Sequence, residues 1–373
     1  MNTLKEFEIP YPRKTFRRKV LNLLGKTLIH LLTHLQISGL ENIPTNGPVI
    51  LAGNHLSNLE PVLMVVAPRR FVELIGAGDL PFLGLIDKIV SFYGFIPVNR
   101  GNLDRIAMNQ ALGILEQDGV LGIFPEGGIW DPGHMKAQVG VAWLSHKAQA
   151  PVVPIGFSGF NNSLSRALKL KRPQLQMRIG KLIPALAFVN EDQAIKTIYQ
   201  EYADNVLEQI KTLIDPQDFL LIPEHSDYNL QVLVGKDDST MEVLALLGSD
   251  AMAQFLFSNV LMDSLAVNLK IPVHALYPKE QTHTNQQFLD ALRAAIDFLQ
   301  ENPGFFTYRM GMERGQQVEK TLHELADLLV SARESDKTVV INASVQSRFP
   351  DGRVEEKTHQ YRILPELKHS NQD

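Results

Sequence analysis

The sequence predicts an α/β fold: a mixed sheet flanked by helices, preceded by an amphipathic N-terminal helix and followed by a second, smaller α/β or α+β region. Three observations carry that expectation. From residue 37, short apolar runs bounded by turn residues alternate with segments of helical period, the pattern of helices packed on a sheet. After about residue 185 both the pattern and the charge change. The chain has 373 residues, 45% of them hydrophobic, enough for a large core and for more than one domain. The expected organisation is a basic helical segment over 1–36, a main domain over 37–185 and a helix with a linker over 186–227. A C-terminal α/β or α+β domain of unassigned role follows over 228–362, and a polar tail over 363–373.

Residues 15–36 read as the amphipathic helix, with Val20, Leu24, Leu28, Leu31 and Leu35 at helical spacing and Lys19, Lys26 and His30 on another face. Such a helix either packs on its own domain or lies on an anionic membrane surface. PVILAGNH is a buried strand running into a loop at His55, and LEPVLMVVA is a helix with Pro61 in its first turn. FVELIGA is a strand, LPFLGLIDKIVSFYG a helix, FIPVNRG a short strand, and LDRIAMNQALGILEQDG a helix stopped at Gly119. VLGIFPEGG is a strand broken at Pro125, MKAQVGVAWLSHKAQA a helix, and PVVPIGFSG a strand. Beyond residue 185, AIKTIYQEYADNVLEQIKTLI is an acidic amphipathic helix and DPQDFLLIPEHSDYN a linker. LQVLVG, PVHALYP and TVVINASVQ are strands. One helix is expected within 242–269 and another over QQFLDALRAAIDFLQENPG.

The net charge of −5 argues against non-specific nucleic-acid binding. It is unevenly placed: +5 over residues 1–40, +3 over 41–184 and −13 over 185–373, so the front half is suited to an anionic partner. The absence of cysteine excludes disulfides, thiolate metal sites and a cysteine nucleophile. No secretory leader and no spanning segment of about 18 apolar residues is read, so a cytoplasmic protein is expected. His30 and His34, four apart, lack an evident third ligand and predict no metal site. A serine hydrolase elbow, a P-loop and an H-E-x-x-H helix are all missing.

Four short segments at strand ends carry the chemistry, as expected where active residues gather in loops of such sheets. In NHLSNLEP, His55 and Glu60 are five apart at a strand-to-helix junction. A neutral imidazole can take a proton from an alcohol while a carboxylate on its far nitrogen fixes the tautomer. Taken in isolation, such a pair favours a buried, hydrogen-bonded structural histidine. In GFIPVNRG, Arg100 follows a strand, where its guanidinium can grip a phosphate or merely pair with Asp104. In FPEGG, Glu126, Gly127 and Gly128 form a tight turn whose backbone can approach a ligand. PVVPIG reads as a wall strand.

In this order the four segments resemble the glycerolipid acyltransferases of the lysophosphatidic acid acyltransferase family, with NH-x4-D, G-x-I-x-V-x-R, FPEG and a VPV-like strand. The resemblance covers roughly residues 37–185. It implies that His55 deprotonates an acceptor hydroxyl, which attacks the thioester of acyl-CoA or acyl carrier protein, and that Glu60 holds His55. It also implies that Arg100 binds the acceptor phosphate, that Asn54, Glu126, Gly127 and Gly128 line the acceptor site, and that no cofactor or metal takes part. The implied activity is transfer of a fatty acyl group to a lysophospholipid, 1-acylglycerol-3-phosphate first, giving phosphatidate in phospholipid biosynthesis.

Two departures bear on this reading. Glu60 stands where the family has Asp, and Ile129 where it often has Arg, with Lys136 or Arg105 as candidate substitutes. The second departure leaves glycerol-3-phosphate or a lyso-amino or glycolipid as alternative acceptors. The first leaves a retired, lipid-binding protein as a further alternative. Arg17, Arg18, Lys19 and Lys26, with the run Arg166, Lys169, Lys171 and Arg172, are the expected contacts to a membrane or an acidic carrier, placing the protein peripherally on the inner face of the membrane.

Overall fold

The computed structural model describes residues 9–55, 57, 59–78, 85–98, 104–127, 137–161, 163–187, 195–244, 248–270, 282–303, 305–306 and 310–365. Contacts divide the chain into two compact units, Met1–Leu221 and Ile222–Asp373.

The first unit is a mixed α/β sheet flanked by helices. Helix α1 (Thr15–Leu32) leads into β1 (His34–Ser38), β2 (Val49–Gly53), α2 (Glu60–Val66), β3 (Val72–Ala77), α3 (Leu85–Tyr93), β4 (Ile96–Val98) and α4 (Arg105–Glu116). Then follow β5 (Val120–Ile123), α5 (Gly140–Ala148), β6 (Val152–Ser158), α6 (Ser163–Leu168), β7 (Gln174–Ile179), α7 (Ile195–Leu213) and α8 (Pro216–Phe219). The strands order as β1-β7-β6-β2-β5-β3-β4, parallel except for the antiparallel β6–β7 pair. The central strands β2, β5 and β6 are buried at every position, as parallel strands covered on both faces must be. Alternate residues of β2 feed two cores: Ile50 and Ala52 pack with α4, α5 and α7, Val49 and Leu51 with α2 and Phe157. Strand β2 therefore lies mid-sheet, and the loop after it opens on the same edge as the loop after β5.

Helix α1 departs from the expected arrangement in two ways. It ends at Leu32, so Leu35 belongs to β1 rather than to the helix. Its buried residues are Arg18 and Ile29. Arg18 is fully buried and both of its terminal nitrogens meet the carboxylate of Glu73, also fully buried, on β3. Arg18 Nε and Nη2 also donate to the carbonyls of Tyr93 and Gly94, each at 3.1 Å. Arg13 adds a second guanidinium to Glu73 at 2.9 Å. Arg18 is thus not available to a membrane or carrier: a buried acid on β3 has drawn it inward. The apolar stripe points the other way. Phe16, Val20, Leu23, Leu24, Leu28 and Leu31 are between 42% and 78% exposed.

The second unit contains β8 (His225–Gly235), β9 (Glu242–Leu244), α9 (Ser249–Phe257), α10 (Asn259–Asn268), β10 (Thr282–Thr284), α11 (Asn285–Glu301), α12 (Met312–Glu334), β11 (Thr338–Arg348) and β12 (Val354–Leu364). Its sheet orders as β10-β12-β11-β8-β9, antiparallel but for the β10–β12 pair, and α9 to α12 contribute to one core on it. The expected single helix within 242–269 is instead β9, α9 and α10. Gly248 breaks it with a left-handed φ of 71°, and the chain is extended again at Ser258. Residues 225–229, expected in a linker, begin β8. The strand expected at PVHALYP lies outside the described residues.

Candidate functional site

The loop after β2 brings together most of the residues singled out above. Asn54, the first residue past the strand, is fully buried. Its side-chain amide donates to Phe157 O at 3.0 Å and accepts from Phe157 N at 2.8 Å. Both ends of the amide tie β2 to β6, so Asn54 acts as a strut between the two strands.

His55 stacks on Phe124, with ring centroids 4.4 Å apart and planes 23° from parallel. Phe124 follows β5, so the imidazole bridges the ends of two neighbouring strands. His55 Nδ1 stands 3.6 Å from Oε2 of Glu60, and its side chain keeps 17% exposure while Glu60 has none. Glu60 opens α2, whose early Pro61 suits a first turn. Its Oε2 accepts from Ser57 N and Ser57 Oγ, both at 2.9 Å. A partly exposed imidazole close to a buried carboxylate is a pair that can act as a general base once the two close to hydrogen-bond length.

Glu126 sits in the neighbouring turn and is almost wholly buried. Burial pushes its carboxyl up to about 8, the backbone N–H of His55 partly opposes this, and the Glu60 charge adds to it. Near neutral pH burial therefore favours the protonated form of this group. Gly127 holds φ at +77° and donates to Phe124 O at 2.9 Å, a conformation that favours glycine and closes the turn.

Arg100, Gly128, Ile129 and Lys136 lie outside the described residues. Arg105 is exposed in the first turn of α4, which Asp104 caps through Ala107 N at 3.0 Å. Arg166, Lys169, Lys171 and Arg172 are exposed around the end of α6, with Leu168 and Leu170 projecting between them at 70% and 74% exposure. Arg172 Nη2 lies 3.4 Å from the carbonyl of His30, joining this loop to the last turn of α1. Arg17, Lys19 and Lys26 are exposed, and Arg17 covers the Phe92 ring at 4.8 Å. Among the described residues no group of three or more His, Asp or Glu is placed to hold a metal ion, and no helix is long and apolar enough to cross a membrane.

Three participants escape sequence reasoning: Ser57, Phe124 and Glu73. Only Glu73 leaves a signal, as the single acid inside an otherwise apolar strand, which demands a buried cation.

Residues 34–158 match the model of the family described as Acyltransferase. Over 219 residues the chain is 26% identical to the probable 1-acyl-sn-glycerol-3-phosphate acyltransferase of Mycoplasma pneumoniae, covering 54% of this chain and 78% of that one. It is 26% identical over 164 residues to the human 1-acyl-sn-glycerol-3-phosphate acyltransferase alpha, covering 42% and 58%. To the human beta form it is 32% identical over 120 residues, covering 31% and 43%, so it spans about half the length of the two human relatives. The crystal structure of the 1-acyl-sn-glycerophosphate acyltransferase PlsC from Thermotoga maritima matches with a TM-score of 0.38 at 18% identity, over 55% of this chain and 86% of that one.

Proposed function

We propose, from the match of residues 34–158 to the Acyltransferase family model, that the chain transfers a fatty acyl group from acyl-CoA or acyl carrier protein to the hydroxyl of a lysophospholipid. The first acceptor is 1-acylglycerol-3-phosphate and the product phosphatidate. The observation that carries this reading is the His55–Glu60 pair at the end of β2, stacked on the Phe124 turn at the end of β5.

In this reaction His55 Nε2 takes the acceptor's hydroxyl proton as its oxygen attacks the thioester carbonyl. Glu60 stabilises the imidazolium that forms. The tetrahedral intermediate collapses, the C–S bond breaks, and the imidazolium returns the proton to the departing thiolate. Base and orienting carboxylate suffice, so no cofactor or metal is part of the proposal. Glu126, neutral, lines the acceptor side, and Arg100 supplies the phosphate contact.

The acceptor is delivered at a membrane. The outward stripe of α1 and the exposed Leu168 and Leu170 offer apolar surface, with Arg17, Lys19 and Lys26 exposed on α1 and Arg166, Lys169, Lys171 and Arg172 exposed around the end of α6. Each leucine that leaves water contributes about 1.5–3 kcal/mol, and each cation about 1 kcal/mol at an anionic leaflet. This supports peripheral attachment to the inner face of the membrane.

Purified protein with labelled acyl-CoA or acyl carrier protein and 1-acylglycerol-3-phosphate is expected to form phosphatidate. His55→Ala is expected to lower kcat by about 10²- to 10⁴-fold. Equal turnover by the two proteins would refute the assignment of the base. Ile129, at a position where the family often carries Arg, favours a second reading on the acceptor alone. Glycerol-3-phosphate and lyso-amino or glycolipids in the same assay decide it, a strict preference for lysophosphatidate excluding the alternatives.

A further inference from the structure

We propose that Ser57 is a positioning residue of this site: it holds the Glu60 carboxylate in place for His55, through a directed hydrogen-bond chain that runs from the backbone N–H of Leu59. The inference rests on the reading of His55 as the base.

Glu60 has no solvent exposure, so its charge must be met by donors from the protein. His55 does not meet it directly in the resting site, because 3.6 Å between Nδ1 and Oε2 is longer than a hydrogen bond. Ser57 does, with two donors on that same oxygen, its backbone N–H and its hydroxyl, each at 2.9 Å. The oxygen that faces the imidazole is therefore the one that Ser57 fixes.

The direction of the chain follows from counting protons. An ionised carboxylate only accepts, so the single Ser57 hydroxyl proton goes to Glu60. Ser57 Oγ is then an acceptor toward its other neighbours. Leu59 N donates to it at 3.2 Å. A donor behind the hydroxyl polarises it and strengthens the bond it makes to Glu60.

This arrangement also accommodates a glutamate where the related family carries an aspartate. The added methylene brings a further rotatable bond, and an unrestrained carboxylate would sample several positions. Two donors from one residue fix the oxygen nearest the imidazole. When the imidazole gains its proton, Oε2 has to approach by less than about 1 Å to reach charge-assisted hydrogen-bond length. Positioning errors of that size are costly in catalysis.

The test is a double-mutant cycle on kcat with the full-length enzyme, labelled acyl-CoA and 1-acylglycerol-3-phosphate. Ser57→Ala removes the hydroxyl and keeps the backbone donor. It is expected to lower kcat by about tenfold, the scale of one hydrogen bond to a charged group, with the acceptor KM within about twofold. In a Glu60→Ala background the same substitution is expected to change kcat by less than about twofold, since its target is gone. Ser57→Thr keeps the hydroxyl and is expected to restore kcat to within about threefold, and the urea midpoints of all variants check the fold. An equal loss in both backgrounds, no loss in Ser57→Ala, or a Thr variant as impaired as the Ala variant would each overturn the proposal. Loss of all His55-dependent turnover in the unmodified enzyme is a separate result: it refutes the base reading, and the positioning role with it.

Discussion

Replacing Glu126 with Gln tests the protonation state of the buried carboxyl beside His55. Burial raises this carboxyl from 4.5 to about 8. Over that interval the folded chain holds a proton that the unfolded chain has released. The resulting stability is fully present below the unfolded value and is lost as pH rises through the folded one. Each pH unit inside the window costs about 1.4 kcal/mol. Between about pH 5.5 and 7.5 the native protein should therefore lose about 2–3 kcal/mol through this one group. Glutamine has the shape of the neutral acid and takes no charge, so Glu126→Gln should escape that loss. Titrations common to both proteins cancel in the difference. Urea unfolding followed by tryptophan fluorescence reads the right unit, because both tryptophans, Trp130 and Trp143, belong to the first one. The stability difference should shift toward the Gln variant steadily across this range. A difference that stays flat, or shifts toward the glutamate, would refute a neutral Glu126.

Two further outcomes are expected. Glu73→Ala leaves the fully buried Arg18 guanidinium without its carboxylate and should cost the first unit about 3–5 kcal/mol by the same fluorescence measurement, with Glu73→Gln falling between. Leu23→Asp together with Leu31→Asp should abolish co-sedimentation with anionic phospholipid vesicles while changing unfolding free energy by less than about 0.5 kcal/mol, because both side chains are already in solvent. Vesicle binding that survives both charges would remove α1 from the membrane surface.

The parts of this molecule legible in the sequence are those set by local chemistry. Strands β2, β5 and β6 are apolar throughout because both faces of the sheet are covered, and they read as uninterrupted apolar runs. His55, Glu60 and Glu126 lie in short loops at the ends of such strands, where a polar residue after an apolar run is conspicuous. Strand β12, VEEKTHQYRIL, shows little of this contrast, since most of its residues are polar and only Tyr361 and Ile363 are buried. The strut role of Asn54 is not legible locally, because its partner Phe157 lies 103 residues along.

Helix α1 shows why a single distant partner can decide a local reading. Helical period alone leaves the leucines of an amphipathic helix facing either the protein or a membrane surface. Arg18 and Ile29, eleven residues apart, fall within about 20° of each other on a helix of 3.6 residues per turn, and they form the buried side. Phe16, Val20, Leu23 and Leu31 cluster about half a turn away. Glu73, fixed in the sheet 55 residues later, cannot be left without a cation, and by drawing in Arg18 it sets the rotation of the whole helix. The leucines are then presented outward in a row. An apolar row held out by a buried ion pair is suited to a second apolar phase, which the lipid acceptor of the proposed reaction also requires.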